Sequence, residues 1–405
     1  MSNFAFGTYR ISDLNPQHIE SLKAAISSGI SMIDTSSNYM DGGAERAISL
    51  AYSSFSDDIT DKIQIVSKYG YIQNSNMTLH KEEAFEDVVE YSEDCYHSIS
   101  ASFMRHQLTE SLGRLELEKI DCYLIHNPEY YLLDAINRGI DKDERLDEMY
   151  SRIQSAFIGL EEEVKKGRIS SYGISSNSFA KPLDAIDFLP YEDLITLADN
   201  AAEEVGNDTH SFTTIELPIN LLERDGLKCS SWAKENGLRV LANRPLNASK
   251  DELMFRLADY EESREYFHHL NELMEVCDND ELEPLHTLLE QLDDNRHKFG
   301  WLGDYDSFLY TQIIPHIRKA LEVVDEENRD TMFNFIDLFL QEYREMVAYE
   351  CSKSTKITLK ELLLNSELSL QENAIKFLLQ RESIDYILVG MRKPLYVHEI
   401  LAIKA

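Results

Sequence analysis

Four side chains of unlike acidity, Asp34, Tyr39, Lys68 and His126, stand at or just beyond the ends of short apolar runs. Asp34 and Tyr39 share the segment Ile33-Asp34-Thr35-Ser36-Ser37-Asn38-Tyr39; Lys68 closes Ile65-Val66-Ser67; His126 closes Leu124-Ile125. A phenol has an ordinary pKa near 10, too high for an efficient acid at neutral pH, and a neighbouring ammonium favours the phenolate and lowers that value. Lys68 is expected to do this for Tyr39. Desolvation would tend to neutralise the lysine, and Asp34 would keep it charged as an ion-pair partner. A neutral His126 would orient a carbonyl oxygen beside the phenol, where negative charge develops. This is the chemistry of carbonyl reduction. None of the four can supply a hydride, so a nicotinamide cofactor has to.

Such a set works only if separate segments converge. Short apolar runs alternate with amphipathic stretches along the chain, the pattern of βα units around a parallel sheet. The expected strands are 4–9, 31–34, 63–67, 121–125, 169–174, 213–217, 238–242 and 386–389. Helical spacing of apolar residues marks 16–28, 44–54, 98–115, 146–166, 225–235 and 370–379. Eight strands joined by helices predict an α/β fold, a closed (β/α)8 TIM barrel, whose catalytic residues gather at the C-terminal ends of the strands.

The regular spacing fails after strand seven. Residues 1–248 are expected to form strands one to seven with their helices, 249–367 an acidic helical insertion, and 368–405 the last helix and strand eight. The insert holds 28 acidic and 12 basic residues, and its stretch Met332 to Tyr343 reads as its own small core. It could serve as a lid over the mouth, as a contact surface for a protein or a second copy, or as decoration to one side.

The chain has 405 residues and a formal charge of −34, which repels polyphosphate backbones and anionic lipid surfaces, so no nucleic-acid or membrane partner is expected. No stretch approaches about 18 consecutive apolar residues. The N-terminal segment lacks the pattern of a secretory signal, and a cytoplasmic location is expected. Five scattered cysteines without a C-x-x-C pair, and no H-E-x-x-H, argue against a disulfide framework and a metal site.

With these motifs in place, the sequence resembles the aldo-keto reductase family. The matching residues are Gly7-Thr8-Tyr9-Arg10, Ile33-Asp34-Thr35 through Asn38-Tyr39 with Gly43-Ala44-Glu45, Val66-Ser67-Lys68, and Leu124-Ile125-His126. Further matches are Lys166-Gly167-Arg168-Ile169, Tyr172-Gly173-Ile174-Ser175-Ser176-Asn177, Pro245-Leu246 and Gly390-Met391-Arg392. The resemblance spans nearly the whole barrel but not the insert. It implies NAD(P)H-dependent interconversion of a small carbonyl substrate (aldehyde, ketone or sugar-like) with its alcohol. Tyr39 would be the proton donor, and Asp34, Lys68 and His126 would complete the catalytic set. It also implies cofactor binding without a G-x-G-x-x-G loop, around Thr8, Tyr9, Asp34, Leu246 and Gly390. Ser176 and Asn177 would hold the nicotinamide carboxamide, and Arg392 with Lys393 the adenosine end. A guanidinium fork suits a 2′-phosphate, so NADPH is the expected cofactor and NADH the alternative.

Three residues that the resemblance also places at the cofactor, Glu216, Asn243 and Arg244, depart from the family pattern. Glu216 stands where a glutamine is usual, and a carboxylate lacks the amide's donor hydrogens. Asn243 and Arg244 stand where an aromatic usually stacks on the nicotinamide. These departures keep a second reading open, a catalytically weak nucleotide-binding scaffold that engages a protein partner through the insert. A non-redox lyase or isomerase on the same barrel is a third, and it leaves the ordered tetrad as coincidence.

Overall fold

A computed structural model describes residues 3–82, 84–250 and 253–404. Met1, Ser2, Glu83, Asp251, Glu252 and Ala405, which belong to the expected stretches 1–248, 249–367 and 368–405, lie outside the described residues. The chain divides into two compact units, Met1–Pro245 with Lys376–Ala405, and Leu246–Ile375.

The first unit is a closed barrel of eight parallel strands. These are β1 (Phe4–Gly7), β2 (Met32–Asp34), β3 (Gln64–Tyr69), β4 (Ile120–His126), β5 (Ile169–Ser175), β6 (Phe212–Pro218), β7 (Arg239–Asn243) and β8 (Tyr386–Val389). Each pairs with its neighbours in sequence, and β8 returns to β1 through Phe4↔Ile387 and Ala5↔Leu388. These are the strands expected from the apolar runs, with ends shifted by one or two residues. Parallel strands buried on both faces read as continuous Val, Ile and Leu runs, which is why they stand out in the sequence.

Ala5, Met32, Val66, Cys122, Leu124, Leu241 and Leu388 fill the barrel interior. The outer faces of the strands are covered by helices. Gly43–Tyr52, for example, buries Ala44, Ala47, Ile48 and Ala51 at three- and four-residue spacing, one face of a helix. Gly173 on β5 is required by close approach, since a Cβ there would fall 2.0 Å from the carbonyl oxygen of Thr214 on β6. Beyond β3 a small antiparallel sheet, Tyr71–Ile72, Cys95–His97 and Val89–Ser92, adds to the barrel unit.

The second unit begins with an antiparallel pair, Asn247–Lys250 with Leu253–Arg256, and continues in helices that include the 33-residue Glu326–Thr358. It has its own core, in which Leu270, Leu273, Leu285, Leu289, Phe339 and Tyr343 are buried. Within it the Tyr343 hydroxyl donates to the Leu292 carbonyl at 2.7 Å and the Tyr266 hydroxyl to Asp293 Oδ1 at 2.8 Å. Among the described residues no helix is long and apolar enough to cross a membrane.

Candidate active site

The two-residue period of a strand places the site. Met32, Val66, Leu124 and Leu241 point into the barrel. The residues two positions further on, Asp34, Lys68, His126 and Asn243, repeat that direction one layer nearer the C-terminal mouth. Glu216 joins them, in register with Ser175 on β5 and Leu241 on β7.

Lys68 is fully buried. Its Nζ donates to Asp34 Oδ1 and, at 3.0 Å, to the Thr35 carbonyl oxygen. Glu216 Oε2 lies 3.2 Å from the same Nζ, an ion pair outside hydrogen-bond alignment. Glu216 Oε1 accepts from Asn243 Nδ2 at 2.9 Å. One buried ammonium therefore faces two buried carboxyls. Burial alone would pull the lysine pKa down, but Asp34 and Glu216 reverse this and hold it above its ordinary value. Asp34 is displaced well upward, first by burial and then by the charge of Glu216, against the pull of Lys68. The backbone amide and hydroxyl of Thr8 both donate to the Asp34 carbonyl, at 3.0 and 2.9 Å, and tie β1 to the end of β2.

Tyr39 follows Asp34 on a loop that runs along the end of β3, with Thr35 N donating to the Val66 carbonyl at 2.8 Å and Ser37 N to the Lys68 carbonyl at 3.2 Å. Three successive residues, Met40, Asp41 and Gly42, have φ of 51°, 52° and 76°. This left-handed turn costs of order 1 kcal/mol for each non-glycine residue. It directs the chain from Tyr39 into the helix at Gly43. The Tyr39 ring lies with its centroid 5.5 Å from Lys68 Nζ, edge-on to Tyr9 at 5.2 Å and to His126 at 5.9 Å. Its hydroxyl makes no hydrogen bond among the described residues. Sequence reasoning anticipated a lowered phenol pKa. Burial instead raises it; Lys68 opposes that shift, while Asp34 and Glu216 reinforce it. The expected influence of Lys68 is present, but it is outweighed.

His126 is buried, and burial, with Lys68 and His97 adding, holds its pKa well below the ordinary value, so the ring is neutral. A chain of polar groups supports it. Asn38 Nδ2 donates to Gln73 Oε1 at 3.2 Å, Ser36 Oγ donates to Asn38 Oδ1 at 2.7 Å, and Ser36 Oγ lies 3.1 Å from His126 Nδ1. Behind the ring, His97 Nε2 donates to the His126 carbonyl at 2.7 Å. That contact needs Gly70, where a Cβ would come 2.6 Å from His97 Nε2 and 2.8 Å from the His126 oxygen, on a backbone with φ +148°. Tyr71 packs edge-on against His126 at 4.8 Å and accepts from Asn127 Nδ2 at 2.6 Å.

The other residues singled out in the sequence are more dispersed. Ser176 Oγ donates to buried Glu129 Oε2 at 2.7 Å, and Asn177 donates its backbone amide to Glu129 Oε1 at 2.9 Å. The exposed Asn177 side chain donates to Asn127 Oδ1 at 3.1 Å. Arg244 pairs with Glu223 at 3.1 Å. Gly390, Arg392 and Lys393 are exposed on the turn after β8, where Lys393 precedes the helix Pro394–Ala402. Leu246 is buried in the second unit. Sequence reasoning did not single out Gln73, Tyr71, His97 or Glu129. Ser36 and Asn38 were signalled only by lying between Asp34 and Tyr39.

One orphan tests whether a nicotinamide fits. Asn243 Oδ1 is buried with no hydrogen-bond partner among the described residues, an acceptor facing a missing donor. A carboxamide NH2 is such a donor. Cationic Arg392 and Lys393 suit the phosphates at the other end of a dinucleotide.

Residues 3–404 match the family model described as "Aldo/keto reductase family". A comparison with curated proteins finds no match. Among solved structures, a glycerol dehydrogenase from Gluconobacter oxydans is 16% identical, over 100% of this chain and 87% of that one, with a TM-score of 0.49. An aldo-keto reductase from Bacillus halodurans in its holo form is 14% identical over 99% and 85% of the two chains, with a TM-score of 0.47. An aldo/keto reductase from Klebsiella pneumoniae in complex with NADP and acetate is 20% identical over 61% and 65%, with a TM-score of 0.38.

Proposed function

Since this chain belongs to the aldo/keto reductase family, we propose that it reduces the carbonyl of a small aldehyde, ketone or sugar-like substrate to the alcohol, with NADPH as cofactor and Tyr39 as proton donor. The observation that carries this reading is the grouping of Asp34, Tyr39, Lys68 and His126 at one barrel mouth, with no hydrogen bond to the Tyr39 hydroxyl among the described residues.

When bound, the reduced nicotinamide supplies the hydride that adds to the carbonyl carbon. This chain's residues do the rest. Asn243, with its unpaired Oδ1, would take the carboxamide NH2, and Arg392 and Lys393 the adenosine phosphates. Neutral His126 orients the substrate oxygen toward the Tyr39 hydroxyl. As the C–O π bond breaks, Tyr39 passes its proton to that oxygen and becomes a phenolate. The Lys68 ammonium stabilises the phenolate, and a solvent proton restores it. Asp34 holds Lys68 charged in a buried setting where an unpaired ammonium would lose its proton.

Titration of the pure protein with NADPH and with NADH, followed by a panel of aldehydes and ketones, tests the proposal by loss of reduced-cofactor absorbance. Binding with turnover on some member of the panel is expected. Failure to bind either cofactor overturns the reading. Tyr39→Phe should fold and bind cofactor yet lose about 10²- to 10⁴-fold in kcat, the range of a positioned acid. Retention of full rate removes Tyr39 from that role.

A further inference from the structure

Lys68 needs one carboxylate to balance it and faces two, both buried and both set against the same Nζ. If both were ionised, the cluster would bury a net negative charge. The groups that face it are Lys68 on β3, Tyr39 beyond β2, Tyr9 beyond β1 and, through Lys68, His126 on β4. Asn243 on β7 contributes only amide hydrogens. Tyrosines and a neutral imidazole bring no second positive charge. Burying an uncompensated charge is among the costliest arrangements a protein can hold. A single proton removes the excess, and two carboxyls held against one ammonium can share it as an O–H···O bond.

We propose that Asp34 and Glu216 hold one proton between them at neutral pH, and that Glu216 is thereby the positioning residue that sets how strongly Lys68 acts on Tyr39. With the proton in place, the Asp34–Glu216–Lys68 unit is neutral, and Lys68 stabilises the phenolate that forms as Tyr39 gives up its proton. When alkali removes the shared proton, the unit becomes negative and opposes that phenolate. Reduction then slows before Lys68 itself titrates. Asn243 supports this arrangement by fixing Glu216 Oε1, leaving Oε2 toward Lys68.

The link to Tyr39 rests on the reductase reading, but the shared proton does not, so the two can fail separately. Infrared spectra of the cofactor-free protein should show the carbonyl stretch of an un-ionised carboxyl at neutral pH. The difference between wild type and Glu216→Gln should retain that band, because the amide cannot share the proton and Asp34 then pairs with Lys68 as a carboxylate. Glu129, another buried acid whose pKa is raised by burial, contributes to both spectra and cancels. The difference band should bleach as pH rises, with the same midpoint as the alkaline fall in wild-type kcat for carbonyl reduction. Glu216→Gln should move that fall upward by about one pH unit or more. Absence of a difference band between wild type and Glu216→Gln overturns the shared proton. A band that titrates apart from kcat overturns the link to Tyr39. If Glu216→Gln does not fold, Asp34→Asn serves in its place, since it too leaves one carboxylate to pair with Lys68 and removes the shared proton, and the same difference band is expected. If no carbonyl turns over while the band behaves as stated, the reductase reading fails and the shared proton stands.

Discussion

Ser36 Oγ lies 3.1 Å from Nδ1 of His126 and 2.7 Å from Oδ1 of Asn38, so one hydroxyl joins the imidazole to an amide chain that ends at Gln73. The chain has two self-consistent proton arrangements. With Ser36 donating to Asn38, His126 must donate from Nδ1, and its Nε2 becomes an acceptor suited to an alcohol hydroxyl. Rotation of the Asn38 and Gln73 amides reverses every bond. Ser36 then donates to Nδ1, and Nε2 carries the hydrogen that a carbonyl oxygen requires. Either direction of the proposed reaction therefore finds a matching tautomer.

Ser36→Ala should remove this control while leaving the fold intact, because Ser36 is small and its backbone contacts remain. Loss of one hydrogen bond of ordinary net strength predicts a fall of about 2- to 10-fold in kcat/KM for reduction. Ser36→Thr should restore most of it. Unchanged kcat/KM in Ser36→Ala would show that the tautomer is set elsewhere.

How far the site was legible follows from which contacts are local. His126 and Lys68 were visible because a polar residue ending a buried apolar run interrupts an obvious pattern. Glu216 was visible as a residue, but its ion pair with Lys68 spans β3 and β6, and no local pattern records which strands converge. The sheet that carries His97 escaped notice because its strands are short and polar, Val89–Ser92 among them, and the runs are too brief for a two-residue alternation to show. The anticipated drop in the Tyr39 pKa failed for a related reason. The ammonium could be inferred from sequence, but the depth of burial and the second carboxyl could not.

Arg392 offers a test of cofactor choice. It sits exposed beyond β8 and lowers the pKa of nearby His18 after burial has done so, a sign that its charge is felt on that side of the barrel. Arg392→Ala should weaken NADPH by about 10- to 100-fold, the worth of a charge-assisted contact to phosphate, and NADH much less. Equal losses in fluorescence titrations would remove the 2′-phosphate from its partners.

Gly70 leaves room for His97 to reach the His126 carbonyl. Alanine there would drive a Cβ into His97 Nε2 and the His126 carbonyl, on a backbone that L-residues avoid. Strain and the lost hydrogen bond together predict about 2–4 kcal/mol of destabilisation in urea unfolding. A variant as stable as wild type would mean that the two histidines separate without cost.

His97 gives the protein an acid-sensitive element. Burial, partly offset by its bond to the His126 carbonyl, lowers its pKa from 6.5 to about 4. Above the higher value both folded and unfolded chains carry it neutral, and its contribution is complete. As pH falls through that window, the unfolded chain takes up a proton that the folded chain refuses, so stability is lost. His126, lowered for the same first reason, adds in the same direction. Asp34 acts oppositely, because its raised pKa makes the folded chain the better proton acceptor and favours folding as pH drops. Separating these contributions takes a variant. His97→Gln keeps an N–H for the His126 carbonyl but cannot be protonated, so it should lose about 2 kcal/mol less than wild type between pH ~7 and ~5. Urea unfolding of both proteins at the two pH values measures that difference. Equal losses would mean that His97 is protonated in the folded protein as readily as in the unfolded chain, and that its bond to His126 survives the charge.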